Sequence, residues 1–346
     1  MKTIKDFNVK GKRVLVRCDF NVPLSNKGEV LDDFRIKQTI PTIEYLIKEG
    51  AKVILMSHLG NPDGKEVASL KLDPIQEKLM QYLDCSITKA PDCMGSEIEK
   101  WSKEMQSGEI LLLENLRFHK EEETNDDSFA KKLSQLGDIY LNDAFGTCHR
   151  AHASIVGVPK YLPAGAGLLL EKEIKVLGDL MTNPQKPLVV LVGGKKVETK
   201  SKFIDKISAV ADCVLLGGLI SKEIEEKNIK LAFPEKIIKP VDEIDGGLDI
   251  GFATRKLFEG KVLAAKTVFF NGVFGRIEDQ KYTYGTKEVL KAIIESQAFS
   301  VIGGGETVEL ITKINWTEKF NHVSTGGGAM LMFLSGDKLP GLEALK

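Results

Sequence analysis

The sequence predicts an α/β protein with two doubly wound parallel sheets, each covered by helices on both faces and joined by an interdomain helix. Short runs rich in valine, isoleucine and leucine alternate along the chain with longer amphipathic segments, which is the order that builds parallel sheets. The chain has 346 residues, which exceeds the comfortable size of one hydrophobic core. We therefore expect two three-layer αβα domains.

The predicted strands are apolar runs that end in small or polar residues. In chain order they are RVLVRC, KVILMS, EILLLE, DIYLND, LVVLVGG, CVLLGG, TVFFNG and FSVIGGG. Amphipathic stretches such as RIKQTIPTIEYLIKEG lie between them, with helical spacing and a closing glycine. The interdomain helix is predicted at residues 163–181, because Pro163 and its small neighbours favour a helix start. This places one domain at 1–162 and the other at 182–334.

Composition excludes several classes of protein. The 48 basic and 49 acidic residues give a net charge of -1, which argues against a nucleic-acid binder that works by bulk charge. No apolar run approaches the roughly 20 residues of a membrane span, and the first residues lack the apolar stretch of a signal peptide. The five cysteines are widely spaced and form no CxxC, which indicates reduced thiols and not a disulfide framework or zinc site. We expect a cytoplasmic protein that binds neither nucleic acid nor membrane.

Arginine is scarce, since it provides only seven of the 48 basic residues. A guanidinium group is a planar fork of donors that matches two oxygens of a phosphate or carboxylate. Ligands of parallel sheets bind beyond the C-terminal ends of the strands. Arginines beside strand-like runs therefore predict a site for a phosphorylated anion in the first half of the chain. These arginines are Arg17, Arg35, Arg117 and Arg150.

Other polar side chains follow the same predicted strands. Asp19 and Asn21 come directly after the first strand, where they could bind substrate hydroxyls or cap a local turn. His58 ends the second strand, in a position equally open to a structural and a functional role. His149, Arg150 and His152 form a basic cluster after the fourth strand, and a solvated basic loop is the alternative reading.

Glycine-rich turns follow the predicted strands of the second half. Glycine lets the backbone approach a ligand, and a following helix N-terminus presents free N–H groups to phosphate. Lys196 and Lys200 are four residues apart after one such turn, so we expect them to share a helix face toward a phosphoryl group, or toward solvent. Neither GxxxxGK[ST] nor GxGxxG occurs, which excludes a P-loop NTPase and counts against a dinucleotide dehydrogenase. The turns are Gly193-Gly194, Gly217-Gly218, Asn271-Gly272, Gly303-Gly304-Gly305 and Gly326-Gly327-Gly328.

Assembled in order, these motifs resemble the phosphoglycerate kinase family along nearly the whole chain. The segments are VRCDFNVPL, DDFRIK, SHLGNP, LLLENLRFHKEE, YLNDAFGTCHRAHAS, LVGGKKVETK, VFFNG, VIGGGET, HVSTGGGA and LPGLEAL. The resemblance implies reversible phosphoryl transfer between ATP and the carboxylate of 3-phosphoglycerate, in glycolysis and gluconeogenesis. It implies a domain at 1–162 that binds 3-phosphoglycerate, and the C-terminal residues, about 335–346, return to this domain. It implies a second domain at 182–334 that binds Mg-ATP or Mg-ADP. It also implies that the domains close about the interdomain helix and that the protein is a monomer.

The resemblance also implies roles for individual residues, with Mg²⁺ held through the nucleotide at Glu306. The implied substrate-binding residues are Asp19, Asn21, Arg35, His58, Arg117 and Arg150. The implied nucleotide-binding residues are Gly194, Lys196, Lys200, Gly217, Gly218, Gly247, Leu248, Asn271, Glu278, Gly305, Glu306 and Thr307. The implied catalytic residues are Arg35, Lys200, Gly327 and Gly328.

The chain departs from the family pattern mainly in its second half, where segments near the nucleotide site are shorter. Asn61 stands where the family has a further arginine, and Glu306 where it has an aspartate. Two alternatives therefore stay open, a catalytically weakened or regulatory paralogue and a kinase for another small carboxylate. The other departures are Lys195, Leu219, Val273 and Arg276.

Overall fold

The chain folds into two compact units in a computed structural model that describes residues 1–346, apart from the side chain of Thr199. The first unit comprises Met1–Ile174 together with Lys338–Lys346, and the second comprises Lys175–Asp337. None of the helices in the described part of the chain has the length and apolar character that crossing a bilayer requires.

The first unit is built on a six-stranded sheet whose strands are all parallel. Its spatial order is β3-β4-β2-β1-β5-β6. The central strands are apolar along their whole length because both faces of the sheet are covered. The strands are β1 (Arg13–Arg17), β2 (Lys52–Met56), β3 (Ile87–Lys89), β4 (Ile110–Leu112), β5 (Ile139–Asn142) and β6 (Ala164–Ala166).

Helices connect these strands and bury their apolar stripes against the sheet. The first of them buries Ile36, Thr39, Ile43 and Leu46 on one face, which is the periodicity that the sequence shows. The helices are α1 (Phe34–Lys48), α2 (Asp73–Tyr82), α3 (Ser96–Glu104), α4 (Lys120–Glu123) and α5 (Asp127–Ser134). The next helix, α6 (Leu168–Thr182), begins in the first unit and ends in the second. Short helical turns lie at Ile4–Asp6, Ala68–Leu70, Leu116–Phe118, Phe145–Thr147, Ala153–Gly157 and Val158–Lys160.

The second unit repeats the design with another six-stranded parallel sheet, in the order β14-β13-β12-β7-β8-β9. A separate antiparallel hairpin is formed by β10 and β11. The strands are β7 (Leu188–Val192), β8 (Cys213–Leu216), β9 (Ile237–Ile238), β10 (Glu243–Ile244), β11 (Asp249–Ile250), β12 (Thr267–Asn271), β13 (Phe299–Gly303) and β14 (His322–Val323).

Helices also cover this second sheet. They are α7 (Ser201–Val210), α8 (Gly218–Glu226), α9 (Phe252–Leu263), α10 (Tyr284–Ser296), α11 (Gly305–Lys313) and α12 (Gly328–Leu334). Short helical turns lie at Val197–Thr199, Pro234–Lys236, Gln280–Tyr282 and Thr317–Lys319. The last helix, α13 (Pro340–Glu343), belongs to the first unit, where the Gly341 amide donates to the carbonyl of Cys148 at 2.9 Å.

The predicted strands are all present, and the predicted fold of two parallel-sheet α/β units is confirmed. The predicted start of the connecting helix at Pro163 is wrong. Residues Ala164–Ala166 pair with β5 as an edge strand, and α6 begins at Leu168. The Asp143 carboxylate fixes this start, because its Oδ1 accepts hydrogen bonds from the amides of Leu169 and Leu170 at 2.9 and 3.1 Å.

Candidate active site

The polar residues that were predicted to bind the acceptor follow neighbouring strands of the first sheet. Strands β4, β2, β1 and β5 are adjacent in that order and parallel, so their C-terminal ends lie along one edge. Asp19 and Asn21 follow β1, His58 follows β2, Arg117 follows β4, and Arg150 follows β5. The sheet order therefore brings together side chains that are far apart in the sequence.

Arg35 is held at this edge by residues that follow β1. Its Nη1 donates to the carbonyl oxygen of Asn21 at 3.0 Å and lies 3.2 Å from a carboxylate oxygen of Asp19. The Asn21 side chain in turn accepts from the Gly60 amide at 2.9 Å, which ties the end of β1 to the end of β2. Asp19 is buried, whereas Arg35 is half-buried. Asp19 thus orients a guanidinium that solvent can still reach.

Arg117 is buried and its fork is fixed from two sides. Its Nη1 donates to the Gly60 carbonyl at 2.8 Å and to Asn61 Oδ1 at 2.7 Å, and its Nε lies 3.4 Å from a carboxylate oxygen of Glu123. Burial lowers the pKa of Arg117, while the Glu123 carboxylate opposes that shift. Asn61 therefore does more than remove a charge from the family pattern, because its amide oxygen positions the neighbouring arginine.

Arg17 and His58 form a fully buried pair beneath this edge. Arg17 Nε donates to Ser154 Oγ at 2.7 Å, and its Nη2 lies 3.3 Å from His58 Nδ1. Burial first, and then the positive charges of Arg17, Arg117, Arg35 and His152, hold the pKa of His58 well below its ordinary value. His58 is thus a neutral imidazole whose Nδ1 faces a donor, which leaves Nε2–H to donate. The scarcity of arginine pointed to Arg17, but its supporting role was not predicted.

The loop after β5 adds a second group of basic side chains. Burial and the nearby arginines lower the pKa of His152 to about 4, and burial with Arg150 also lowers the pKa of His149. Among the described residues, two buried histidine nitrogens of this region find no hydrogen-bond partner, His149 Nδ1 and His152 Nδ1, while the buried Arg117 Nε has only its 3.4 Å ion-pair contact with Glu123. Buried polar atoms are normally satisfied, so an edge this rich in unused ones and in positive charge is suited to an anionic ligand.

In the second unit, a buried lysine lies beneath the glycine turns. Lys200 Nζ donates to the Gly193 carbonyl. Gly194 and Gly272 both have positive φ, and a Cβ atom on them would lie 2.7 and 3.1 Å from that Nζ. Glycine is required at both turns, because a Cβ on Gly194 would meet the ammonium group and one on Gly272 would overlap the Gly193 carbonyl oxygen. Burial lowers the pKa of Lys200, and the charges of Glu306 and Glu223 oppose the shift.

The predicted helix face shared by Lys196 and Lys200 is wrong. Lys196 has a left-handed backbone conformation with φ of 67° and precedes a single 3₁₀ turn, while Lys200 precedes α7. Lys196 is exposed and Lys200 is buried, so the two side chains lie in different environments. The glycine pair before them allows a sharp turn, and this turn interrupts the helical spacing that the sequence suggested.

The end of β12 and the start of α11 provide further polar groups. Thr307 Oγ1 accepts from the Gly272 amide at 3.0 Å, which holds the two turns together. Asn271 is buried, and its Nδ2 finds no hydrogen-bond partner within the described part of the chain. Glu306 is exposed in the first turn of α11, directly after Gly305, and its charge acts on Lys200. A carboxylate, a buried ammonium and an unused amide at the ends of adjacent strands suit a metal-bound polyphosphate.

An ion pair that sequence reasoning missed lies against the next glycines. Lys222 Nζ is 2.5 Å from Glu243 Oε2, which is carried by the β10–β11 hairpin. A Cβ on Gly218 would overlap the Glu243 carboxylate, and one on Gly247 would lie 2.7 Å from Lys222 Nζ. No motif marks this pair, because neither residue belongs to a glycine turn. The pair therefore borders the region that the family pattern assigns to the nucleotide.

The other predicted nucleotide-site and catalytic residues, Leu248, Glu278, Gly327 and Gly328, are exposed or partly exposed. Glu278 is exposed in the loop after β12, and no described hydrogen bond or ion pair connects it to the turns above. Leu248 is half-buried between the hairpin strands. Gly327 has φ of 49° and precedes α12, which starts at the exposed Gly328. The α12 N-terminus therefore presents backbone amides from the end of β14.

Comparison with known proteins gives one consistent match. The family model described as phosphoglycerate kinase matches residues 4–226 and 221–337. A phosphoglycerate kinase of Pelotomaculum thermopropionicum is 41% identical over 388 aligned residues, which cover 99% of this chain and 98% of that protein. The phosphoglycerate kinase of Borreliella afzelii is 41% identical over 391 aligned residues, which cover 100% of this chain and 99% of that protein. The alignments are longer than the chain, so these relatives carry segments that it lacks.

Solved structures agree with this match. The crystal structure of phosphoglycerate kinase from Pyrococcus horikoshii superimposes with a TM-score of 0.87 at 33% identity, covering 100% of this chain and 98% of that one. The structure of phosphoglycerate kinase from Coxiella burnetii gives a TM-score of 0.80 at 32% identity, and the match covers 99% of this chain and 98% of that one. The likeness extends over both units.

Proposed function

Because the chain belongs to the phosphoglycerate kinase family, we propose that it catalyses reversible phosphoryl transfer between ATP and the carboxylate of 3-phosphoglycerate. The observation that carries the proposal is the positive edge of the first sheet, where Arg35, Arg117 and Arg150 stand with the unsatisfied buried atoms of the two histidines. This edge binds the phosphate of the acceptor, with Asp19 and Asn21 at its hydroxyl and carboxyl end. The neutral His58 donates a hydrogen bond there.

The nucleotide binds at the glycine turns of the second unit. Lys200, with Lys196 nearby, meets its phosphates, while Gly194, Asn271, Gly305 and Thr307 line the phosphate region. The base and ribose extend toward Gly217, Gly218, Gly247, Leu248 and Glu278. Glu306 is an oxygen donor of the kind that magnesium prefers, so it would hold the metal of the bound nucleotide. When bound, Mg²⁺ neutralises charge on the phosphates.

The reaction needs no general base, because a carboxylate is already ionised at neutral pH. A carboxylate oxygen forms a bond to the γ-phosphorus while the bond from that phosphorus to the β–γ bridging oxygen breaks, which gives the acyl phosphate and ADP. The protein contributes alignment and charge stabilisation. Arg35 and Lys200 stabilise the transferring group, and the amides of Gly327 and Gly328 donate to its oxygens.

The acceptor is tested by trapping the acyl phosphate with hydroxylamine and comparing 3-phosphoglycerate with glycerate. Glycerate has the same carboxylate and 2-hydroxyl groups but a free 3-hydroxyl in place of the phosphate, so it tests the contribution of the positive edge. We expect kcat/KM to be at least about a hundredfold higher for 3-phosphoglycerate, since two charge-assisted bonds contribute about 3 kcal/mol or more. Equal values would point to another carboxylate as the acceptor, and no hydroxamate from either would indicate a regulatory paralogue.

A further inference from the structure

A set of metal-ligand side chains lies in the first unit, away from the residues proposed to touch either substrate. Cys93 follows Asp92 in the loop after β3, and His119 ends the short turn Leu116–Phe118. The sheet order places β3 beside β4, which brings the loop and the turn together. The Cys93 Sγ, one His119 ring nitrogen and one Asp92 carboxylate oxygen all lie within 4.8 Å of one another.

We propose that Asp92, Cys93 and His119 bind a zinc-type divalent cation, with solvent as the fourth ligand. A zinc ion with sulfur at about 2.3 Å and nitrogen or oxygen at about 2.1 Å keeps neighbouring donors about 3.5 Å apart. His119 Nε2 and Asp92 Oδ1 are now 2.7 Å apart, so they need to separate by less than about 1 Å. The Cys93 sulfur lies within 4.8 Å of both other donors, so it needs to move by at most about 1.3 Å.

The local backbone already holds two of the donors in place. The Cys93 amide donates to Asp92 Oδ1 at 2.6 Å, so the carboxylate and the thiol are oriented by consecutive residues. The His119 ring packs against Phe129 with centroids 5.5 Å apart. Cys93 is fully buried, whereas the side chains of His119 and Asp92 are 22% and 46% exposed. A cation can therefore enter from solvent, and one coordination position stays open to water.

The charges around the set favour a cation. The carboxylates of Asp92 and Glu122 place negative charge near the Cys93 sulfur. A bound divalent ion supplies the positive charge that the thiolate lacks, and the thiol proton is released to solvent on binding. The Glu121 carboxylate also places negative charge near His119, and the Lys132 ammonium places positive charge there. Sulfur and imidazole donors select zinc or cobalt over magnesium, so the site is distinct from that of the nucleotide metal.

No sequence motif marks this set, because its cysteine has no CxxC partner and its histidine is 26 positions away. All five cysteines are free thiols in the structure. The sequence analysis expected no cysteine in a zinc site, and our proposal departs from that expectation for Cys93 because of the geometry. Adjacent strands supply what a spacing motif cannot show.

Cobalt titration of the reduced, metal-free, full-length protein tests the proposal, because a thiolate on Co²⁺ gives a charge-transfer absorption band. We expect one equivalent to bind, the band to persist in a large excess of Mg²⁺, and Zn²⁺ to abolish it by displacement. Cys93→Ser should remove the band, and His119→Gln should weaken binding by about tenfold or more. Cys85→Ser is the matched control, since this cysteine is half-buried elsewhere in the unit and should leave the band unchanged.

The melting temperature separates a lost ligand from a lost fold. Zinc should raise the melting temperature of the wild type and of Cys85→Ser, and should leave that of Cys93→Ser unchanged. His119→Gln provides the second variant if Cys93→Ser does not fold. The proposal is overturned if the wild type shows no charge-transfer band, or if the band survives in Cys93→Ser or keeps its affinity in His119→Gln.

Discussion

At the scale of single residues, buried or half-buried cations set the character of both proposed ligand sites. Arg17 and Arg117 are buried in the first unit, and Lys200 is buried in the second. Each donates to a hydroxyl or carbonyl oxygen, so its position is fixed before a ligand arrives. Preorganised charge of this kind acts on a transition state without a further reorganisation cost. The more exposed Arg35 is the member of this set that stands nearest to the transferred group in our proposal.

Arg35→Lys tests the need for a guanidinium group. Lysine can keep a charge near Asp19, but it cannot bond the Asn21 carbonyl and a phosphoryl oxygen in the same planar geometry. We expect kcat to fall by about a hundredfold while the KM for 3-phosphoglycerate changes by only a few-fold, as steady-state kinetics would show. Lys37→Arg, on the exposed side of the same helix, is the control. A kcat near that of the wild type would remove Arg35 from the reaction.

Single residues also show where sequence reasoning succeeds and fails. The scarcity of arginine and the positions of polar residues after strands led to a cluster that the structure brings together at one sheet edge. The pair Lys222–Glu243 was missed, because an ion pair between a helix and a hairpin leaves no local pattern. The shared face of Lys196 and Lys200 was wrong, because a left-handed residue broke the helical spacing.

At the scale of elements, the start of α6 depends on a buried carboxylate. Asp143 caps the first turn of this helix, and Gly167 before the helix leaves room that a Cβ would fill. Burial raises the pKa of Asp143 to about 7, while the Leu169 and Leu170 amides and the Thr42 hydroxyl oppose the shift. The folded protein therefore binds this proton more tightly than the unfolded chain does. Stability from this group is present below about pH 4 and is lost as the pH rises to 7.

Asp143→Asn should remove that pH dependence, because an amide oxygen can still accept from the helix but cannot ionise. The free energy of unfolding of the variant relative to the wild type should rise by up to about 4 kcal/mol between pH 4 and pH 8, as measured by urea denaturation. Asp126→Asn is the control, since Asp126 caps α5 at the surface through a 2.8 Å bond to the Phe129 amide. A difference between Asp143→Asn and wild type that is flat across this range would contradict the assignment.

The β10–β11 hairpin carries an ion pair that we place beside the proposed base site. The side chains of Glu243 and Lys222 must move aside if the base of a nucleotide is to lie against Gly218 and Gly247. Glu243→Ala should lower the KM for MgATP by about threefold, the scale of one partly exposed ion pair, and leave the KM for 3-phosphoglycerate unchanged. Glu259→Ala breaks an ion pair of α9 and is the matched control. An unchanged KM for MgATP would indicate that the nucleotide base does not bind beside the hairpin.

Elements of different length were predictable to different degrees. The long central strands were predicted because each is an unbroken apolar run. The edge strands β3, β6, β9 and β14 were not, because two or three residues at a sheet edge need no such run. The start of α6 was displaced for a related reason, since Ala164–Ala166 is short and small enough to suit a helix start as well as an edge strand.

At the scale of the whole molecule, two units of the same architecture carry different chemistry. The first unit offers charged side chains at the ends of its strands, and the second offers glycine turns over one buried lysine. The alternation of strands and helices predicted the architecture from sequence, and the family match extends it to the activity. The sequence could not predict how the hairpin and the short loops of this chain shape the proposed nucleotide site, because those contacts join residues from separate elements.

The account is tested most directly by the coupled assay with ATP, magnesium and 3-phosphoglycerate, run on the wild type, Lys200→Met and Lys206→Met. Lys200 directly precedes α7, and Lys206 is exposed on that helix. Lys206→Met therefore controls for the loss of a lysine from this part of the chain. We expect turnover by the wild type, an unchanged rate in Lys206→Met, and a loss of about a hundredfold or more in Lys200→Met. No turnover by the wild type, or a wild-type rate in Lys200→Met, would contradict it.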